Sequence, residues 1–287
     1  MANEVTFSGG WICLTGIAYP IDIDNMIQRE SIYQMKPRAL CICHTNMTDS
    51  IYDYIYTIIK TYELNSLRIT QCATNDISKL LSMVADIPQL CQLNIDDCRD
   101  VDNSAVVYIA NALSGGIRLT SLRLNYNSFG VDGFRHIMES VTVGTVLREL
   151  YIDCVGIYGR NAADILIRAI PHIKSLRVLS VNVRWSGDPN EICDALEKNY
   201  TITHFYTCGF DNKTPAMVAI YNRNCHIKFA HRELLDIAFA FAPMIMKYSC
   251  FDAYCMMWIF DYVNNANIHV SEFKKIRIIR SVFEFSR

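Results

Sequence analysis

Residues 119–141 read Leu119-Thr-Ser-Leu-Arg-Leu-Asn-Tyr-Asn-Ser-Phe-Gly-Val-Asp-Gly-Phe-Arg-His-Ile-Met-Glu-Ser-Val141. The opening apolar residues alternate, as they do when a strand turns one side to a core. The second half changes period: Phe134, Ile137, Met138 and Val141 follow the i, i+3, i+4, i+7 rhythm of a one-sided helix. One stretch of sequence therefore encodes a strand, a turn and a helix.

Written as L-x-x-L-x-L-x-x-N, the pattern recurs. Its apolar triplets are Leu64/Leu67/Ile69, Leu90/Leu93/Ile95, Leu119/Leu122/Leu124, Leu147/Leu150/Ile152 and Leu176/Leu179/Val181, with starts 26, 29, 28 and 29 residues apart. Weaker copies stand at Leu40/Ile42 and Ile202/Phe205. A unit of this length cannot bury its own apolar flank, so a fixed period predicts a solenoid in which neighbours cover one another.

The pattern and its period resemble leucine-rich repeats, in particular the ribonuclease-inhibitor-like subfamily. That resemblance, over roughly residues 37–229, implies an α/β horseshoe: a solenoid of strand-helix repeats with a curved parallel sheet. The asparagine or cysteine that caps the turn of each coil is matched by Cys72, Cys98 and Asn127, whereas Val155, Arg184 and Phe210 hold its place further on. Residues 1–36, with Trp11 and Leu14 one period before Pro37 and Leu40 and a helix expected over 22–35, read as a degenerate capping unit, since the end of a solenoid exposes core. Residues 230–287 read as an all-helical C-terminal module with helices near 231–242, 251–263 and 271–283, the first ended by Pro243 and the last opened by Ser271.

The composition narrows the function classes. With 51% hydrophobic residues a packed core is assured, and a net charge of −2 argues against a sequence-independent nucleic-acid binder. The N-terminus carries neither a basic segment nor a long apolar run, and no stretch approaches the ~18 apolar residues of a membrane span, so a cytoplasmic protein is expected. Twelve scattered cysteines read as reduced thiols that pack as small hydrophobes, the C-x-C of Cys41 and Cys43 among them. Cys225, His226 and His231 lack a fourth ligand, and neither a metal nor a cofactor is expected. No phosphate loop, zinc-protease or serine-hydrolase motif is present, which leaves catalysis without support.

The candidate site lies between the pattern leucines, because successive strand residues face opposite ways. Arg68, Asn94, Asp96, Arg123, Asn125, Tyr151 and Asp153, with Tyr126 beside them, form a polar and aromatic strip of the sort that binds proteins, with Arg123 and Tyr151 as the expected anchors. The reading is thus a non-catalytic interaction scaffold that holds a protein partner on the concave face. A second surface is expected at Phe251, Tyr254, Trp258 and Tyr262, large apolar residues that surround more of a helix than one contact covers. That segment loosely resembles F-box-like tails, which implies the alternative of a substrate receptor for an SCF-type ubiquitin ligase, or else self-association. Cys250-Phe251-Asp252 resembles the Cys-x-Asp signature of bacterial leucine-rich-repeat ubiquitin ligases and defines the last alternative, a cysteine-dependent enzyme.

Overall fold

The structure is a computed structural model; it describes residues 4–8, 10–18, 20, 37–74, 76–154, 156–157, 159–182, 188–207, 220 and 222–224. The chain divides into two compact units, Met1–Thr214 and Pro215–Arg287. In the second unit the described residues 220 and 222–224 are helical. The expected helices at 22–35, 231–242, 251–263 and 271–283 lie outside the described residues, as do Cys225, His226, His231, Cys250, Phe251, Tyr254, Trp258 and Tyr262.

In the first unit the order of elements is β1 (Glu4–Ser8), β2 (Trp11–Thr15), β3 (Ala39–Cys43), α1 (Asp49–Thr61), β4 (Ser66–Thr70), α2 (Ile77–Ala85), β5 (Gln92–Asp96), α3 (Asn103–Ser114), β6 (Ser121–Arg123), α4 (Val131–Thr142), β7 (Glu149–Ile152), α5 (Arg160–Ala169), β8 (Val178–Val181), α6 (Pro189–Glu197) and β9 (His204–Thr207). Among the described residues nine strands make one sheet in chain order. β2 to β9 are parallel, and from β3 onward a helix separates each strand from the next, as a parallel crossover requires. The arrangement is that of an α/β solenoid.

Register explains why the pattern works. Leu40, Leu67, Leu93, Leu122, Leu150, Leu179 and Phe205 stand opposite one another across seven strands, and every one is at most 1% exposed. The remaining pattern positions, from Leu64 and Ile69 to Leu176 and Val181, are equally buried. The helices close the same core: Phe134, Ile137, Met138 and Val141 of α4 are all buried, as their spacing predicts. Asp76, Asp102 and Asp188 cap α2, α3 and α6 by accepting backbone N–H groups of the first turn.

The chain leaves four of the strands through one non-glycine residue in the left-handed region: His44, Gln71, Asp97 and Tyr126, with φ of 51°, 53°, 54° and 59°. Such a conformation is unfavourable for a side-chain-bearing residue. Here each N–H is drawn to the carbonyl of the next strand segment: His44 to Thr70, Gln71 to Asp96, Asp97 to Asn125 and Tyr126 to Asp153. β6 is short because the Asn125 N–H leaves the ladder to donate to the Asp96 carboxylate at 3.0 Å.

Just past this turn each coil turns one polar or thiol side chain inward. Asn127 donates to the Ile95 carbonyl at 2.7 Å and accepts the Cys98 N–H at 2.9 Å. Cys72 reaches the Ile42 carbonyl at 3.5 Å and receives the Thr45 N–H at 3.5 Å. Thr45 in turn accepts the Ile17 N–H at 3.2 Å, and the Cys72 and Asn127 N–H groups lie on the sulfurs of Cys98 and Cys154. The result is a ladder, Thr45–Cys72–Cys98–Asn127–Cys154, in which each coil's side chain satisfies the backbone of the coil before it. Burial pushes these thiols up, to about 11 for Cys72 and about 12 for Cys98 and Cys154, so they remain neutral.

The N-terminal unit differs from expectation in register and in direction. Ile12 and Leu14 pair with Leu40 and Ile42, so the true offset is 28 residues and Trp11 lies opposite Ala39 rather than Pro37. The physical reason is alternation: with Ile12 and Leu14 directed into the core, Trp11 belongs to the other face. In addition, β1 pairs antiparallel to β2 as a hairpin within that unit.

Candidate functional site

Opposite the helix-covered side, the sheet presents the residues between the pattern leucines. Register sets them in two rows. One runs Cys13, Cys41, Arg68, Asn94, Arg123, Tyr151, Ser180, Tyr206; the other contains Cys43, Thr70 and Asp96, and Asn125, Asp153 and Asn182 follow the ends of later strands. The eight residues expected in the strip therefore share one surface. Seven are half-buried rather than fully exposed, because in-register neighbours on a sheet shield one another at ~4.8 Å spacing. Tyr126, placed on its left-handed turn, is 62% exposed.

The two expected anchors touch. The Arg123 guanidinium lies over the Tyr151 ring at 4.5 Å from its centroid. A contact of this kind contributes only ~0.5–1 kcal/mol at an accessible site, which orients the arginine without consuming its five N–H donors. Glu149 accepts from Ser121 at 3.2 Å and from the Tyr151 hydroxyl at 3.5 Å, holding the ring from the other end. Burial and then the Glu149 charge push the Tyr151 phenol up, so it stays a neutral donor.

Carboxylates gather at the C-terminal ends of the strands. Asp96 is pushed up by burial, against the opposing pull of the Asn125 N–H and of Arg123 and Arg68. Asp153 accepts from Asn182 Nδ2 at 2.6 Å, and its charge and hydrogen bond raise the Tyr126 phenol. Asp97 accepts from Gln71 Nε2 at 2.7 Å. The surface thus offers two half-buried arginines in the middle, aromatic rings beside them and an acidic border.

Residues outside the expected set extend the strip in both directions. On the N-terminal side Arg68 lies over Trp11 at 5.2 Å, and on the C-terminal side His204 stacks with Tyr206 at 6.4 Å. Their signal in the sequence is the same alternation, one residue from Ile12 and Phe205, in copies whose triplets are weaker. On the helix side an open cleft of about 490 Å³ lies between α5 and α6, where Arg160 bridges Asp164 at 2.8 Å and Glu191 at 2.9 Å. Among the described residues no group of three or more His, Cys, Asp or Glu side chains is arranged to hold a metal ion, and no helix is long and apolar enough to cross a membrane.

No family model matches the chain, and no curated protein sequence does. A solved structure, leiomodin-1 actin-binding site 2 (ABS2), is similar at 16% identity with a TM-score of 0.44, covering 67% of this chain and 99% of that one.

Proposed function

We propose that the chain is a leucine-rich-repeat horseshoe that acts as a non-catalytic scaffold and holds a protein partner on the concave, polar face of its sheet. The observation that carries this reading is the Arg123–Tyr151 pair, stacked at 4.5 Å within one continuous in-register strip. Interface energy concentrates in a few arginine and aromatic anchors that are pre-positioned and ringed by groups excluding water. Glu149 and Asp96 supply that ring on either side of the pair. The acidic border favours a partner with basic or hydrogen-bond-donating groups at its rim, and like charges there would be repelled.

The test changes Arg123 and Tyr151 to alanine together and compares proteins captured from the native cell by the unaltered and the double-substituted chain. A partner held on this face is lost by a hot-spot margin of ~2 kcal/mol or more, which is roughly thirtyfold in affinity. A folded double variant that captures every partner with unchanged affinity refutes the placement.

A further inference from the structure

The N-terminal end of the polar face carries three thiols that the binding strip does not use. Cys41 and Cys43 are two apart on β3 and so point to the same side, with their sulfurs 3.5 Å from each other. Cys13 stands opposite Cys41 on β2 and Arg68 stands opposite it on β4. The Arg68 Nε is buried without a hydrogen-bond partner. An enclosed N–H without a partner favours a negative acceptor nearby, and the Arg68 charge acts both on the Asp96 carboxylate and on Cys43.

The two sulfurs of β3 are not equivalent. The hydrogen bond from Cys41, with the Arg68 charge behind it, lowers Cys43 to about 7, while the same bond and burial push Cys41 up. Cys13 is raised by burial and by the charge on Cys43. Cys43 and Cys13 are half-buried and Cys41 behind them is 8% exposed, whereas the ladder thiols Cys72, Cys98 and Cys154 are at most 4% exposed.

We propose that Cys41 and Cys43 form a redox-active dithiol site that reacts with small disulfides, Cys43 attacking and Cys41 resolving. The Cys43 thiolate attacks one sulfur of the disulfide, forming a mixed disulfide and releasing one thiolate. Cys41 then gives up its proton and attacks the Cys43 sulfur; the Cys41–Cys43 bond forms, the mixed disulfide breaks and the second small thiolate leaves. Two protein thiols are oxidised and one small disulfide is reduced to two thiols. The sulfurs move from 3.5 Å to the ~2.05 Å of a disulfide. Two strand residues span ~6.6 Å, near the upper end of the ~4.4–6.8 Å that a disulfide bridges, so a dithiol reductant reopens the bond readily.

The experiment treats the full chain with oxidised glutathione at pH 7, quenches with an alkylating reagent and maps the products by peptide mass spectrometry. The expected product is a loss of two hydrogens within the peptide that holds Cys41 and Cys43, reversed by dithiothreitol. Cys43 reacts faster than Cys13, since burial and the neighbouring Cys43 charge raise Cys13 while Cys43 is lowered, and the larger thiolate share outweighs the lower nucleophilicity that accompanies it. Cys43→Ser abolishes reaction at the pair, Cys41→Ser traps the glutathione adduct on Cys43, and Arg68→Gln moves the midpoint of the rate-pH profile upward. Mapping of the unaltered chain needs no variant to fold. A lasting adduct on Cys43, no reaction at the pair, or a Cys13–Cys43 disulfide in Cys41→Ser overturns the assignment.

Discussion

Replacing Asn127 by alanine removes two hydrogen bonds from the middle of the inner ladder at once. The Ile95 carbonyl loses its donor at 2.7 Å and the Cys98 N–H loses its acceptor at 2.9 Å, both in surroundings that leave Asn127 only 7% exposed. A buried backbone group left without a partner costs ~1–3 kcal/mol, so the two together predict a loss of roughly 2–5 kcal/mol. That is a large share of the ~5–15 kcal/mol that holds a typical domain together. Asn127→Cys is the informative companion, because Cys72, Cys98 and Cys154 do the same work in neighbouring coils with longer, weaker bonds. It is expected to cost roughly 1–2 kcal/mol, since the groups keep partners but lose strength. Urea unfolding of the three proteins, followed by circular dichroism, gives the ordering: unaltered chain, cysteine variant, alanine variant, with a shifted midpoint and an unchanged slope. Equal losses for the two variants, or an alanine variant within ~0.5 kcal/mol of the parent, would falsify the view that this ladder sustains the coils.

Two further outcomes follow from the geometry. At Gly133 a Cβ would meet Asn103 Oδ1 at 2.8 Å and Phe129 Cβ at 3.1 Å, and Asn103 already ties α3 to the start of α4 through the Gly130 and Gly133 N–H groups. Gly133→Ala gains ~1 kcal/mol of helix propensity but loses ~1–3 kcal/mol to overpacking, so the thermal midpoint falls, and a rise would show that the contact is not limiting. Asp96 has a raised folded pKa, so its favourable contribution is fully present below its unfolded value of ~3.9 and is lost as pH rises through the folded one. Asp96→Asn keeps an acceptor for the Asn125 N–H and sheds the charge; its stability relative to the parent should increase between pH 3.5 and pH 7, and a constant difference in urea midpoint across that window contradicts the assignment.

The repeating core was readable because apolar burial is periodic: every triplet leucine from Leu64 to Leu179 sits where alternation directs it. The helices were readable for the same reason, and Cys72, Cys98 and Asn127 were recognisable as inner caps by their fixed distance from the leucines. Thr45 was not, because a threonine after a strand is equally at home in any turn. Nor was Cys154: it stands one residue before the expected position, Val155, which lies outside the described residues together with Arg184 and Phe210. At the N-terminus the indole of Trp11 mimics a core residue in any hydrophobicity reading, which moved the register by two positions; only pairing with β3 shows that Ile12 carries the apolar side. On the polar face, types and sides of residues were legible, whereas the Arg123–Tyr151 stack and the polarised Cys41–Cys43 pair depend on side-chain direction and burial that a linear pattern does not contain.

The hairpin of β1 and β2 bears on how such an array can grow by duplication. Every junction from β2 to β9 joins like to like, so a copied coil inserted there meets parallel strands on both sides, and between β3 and β7 it also meets the ladder of inward caps. At the outer edge of β1 the polarity is reversed: a coil copied onto that side would meet an antiparallel neighbour and a strand with Glu4, Thr6 and Ser8 exposed in alternation. The reversal closes the β1 edge to lengthening by duplication of the unit, and among the described residues β1 is the one strand that runs against the others.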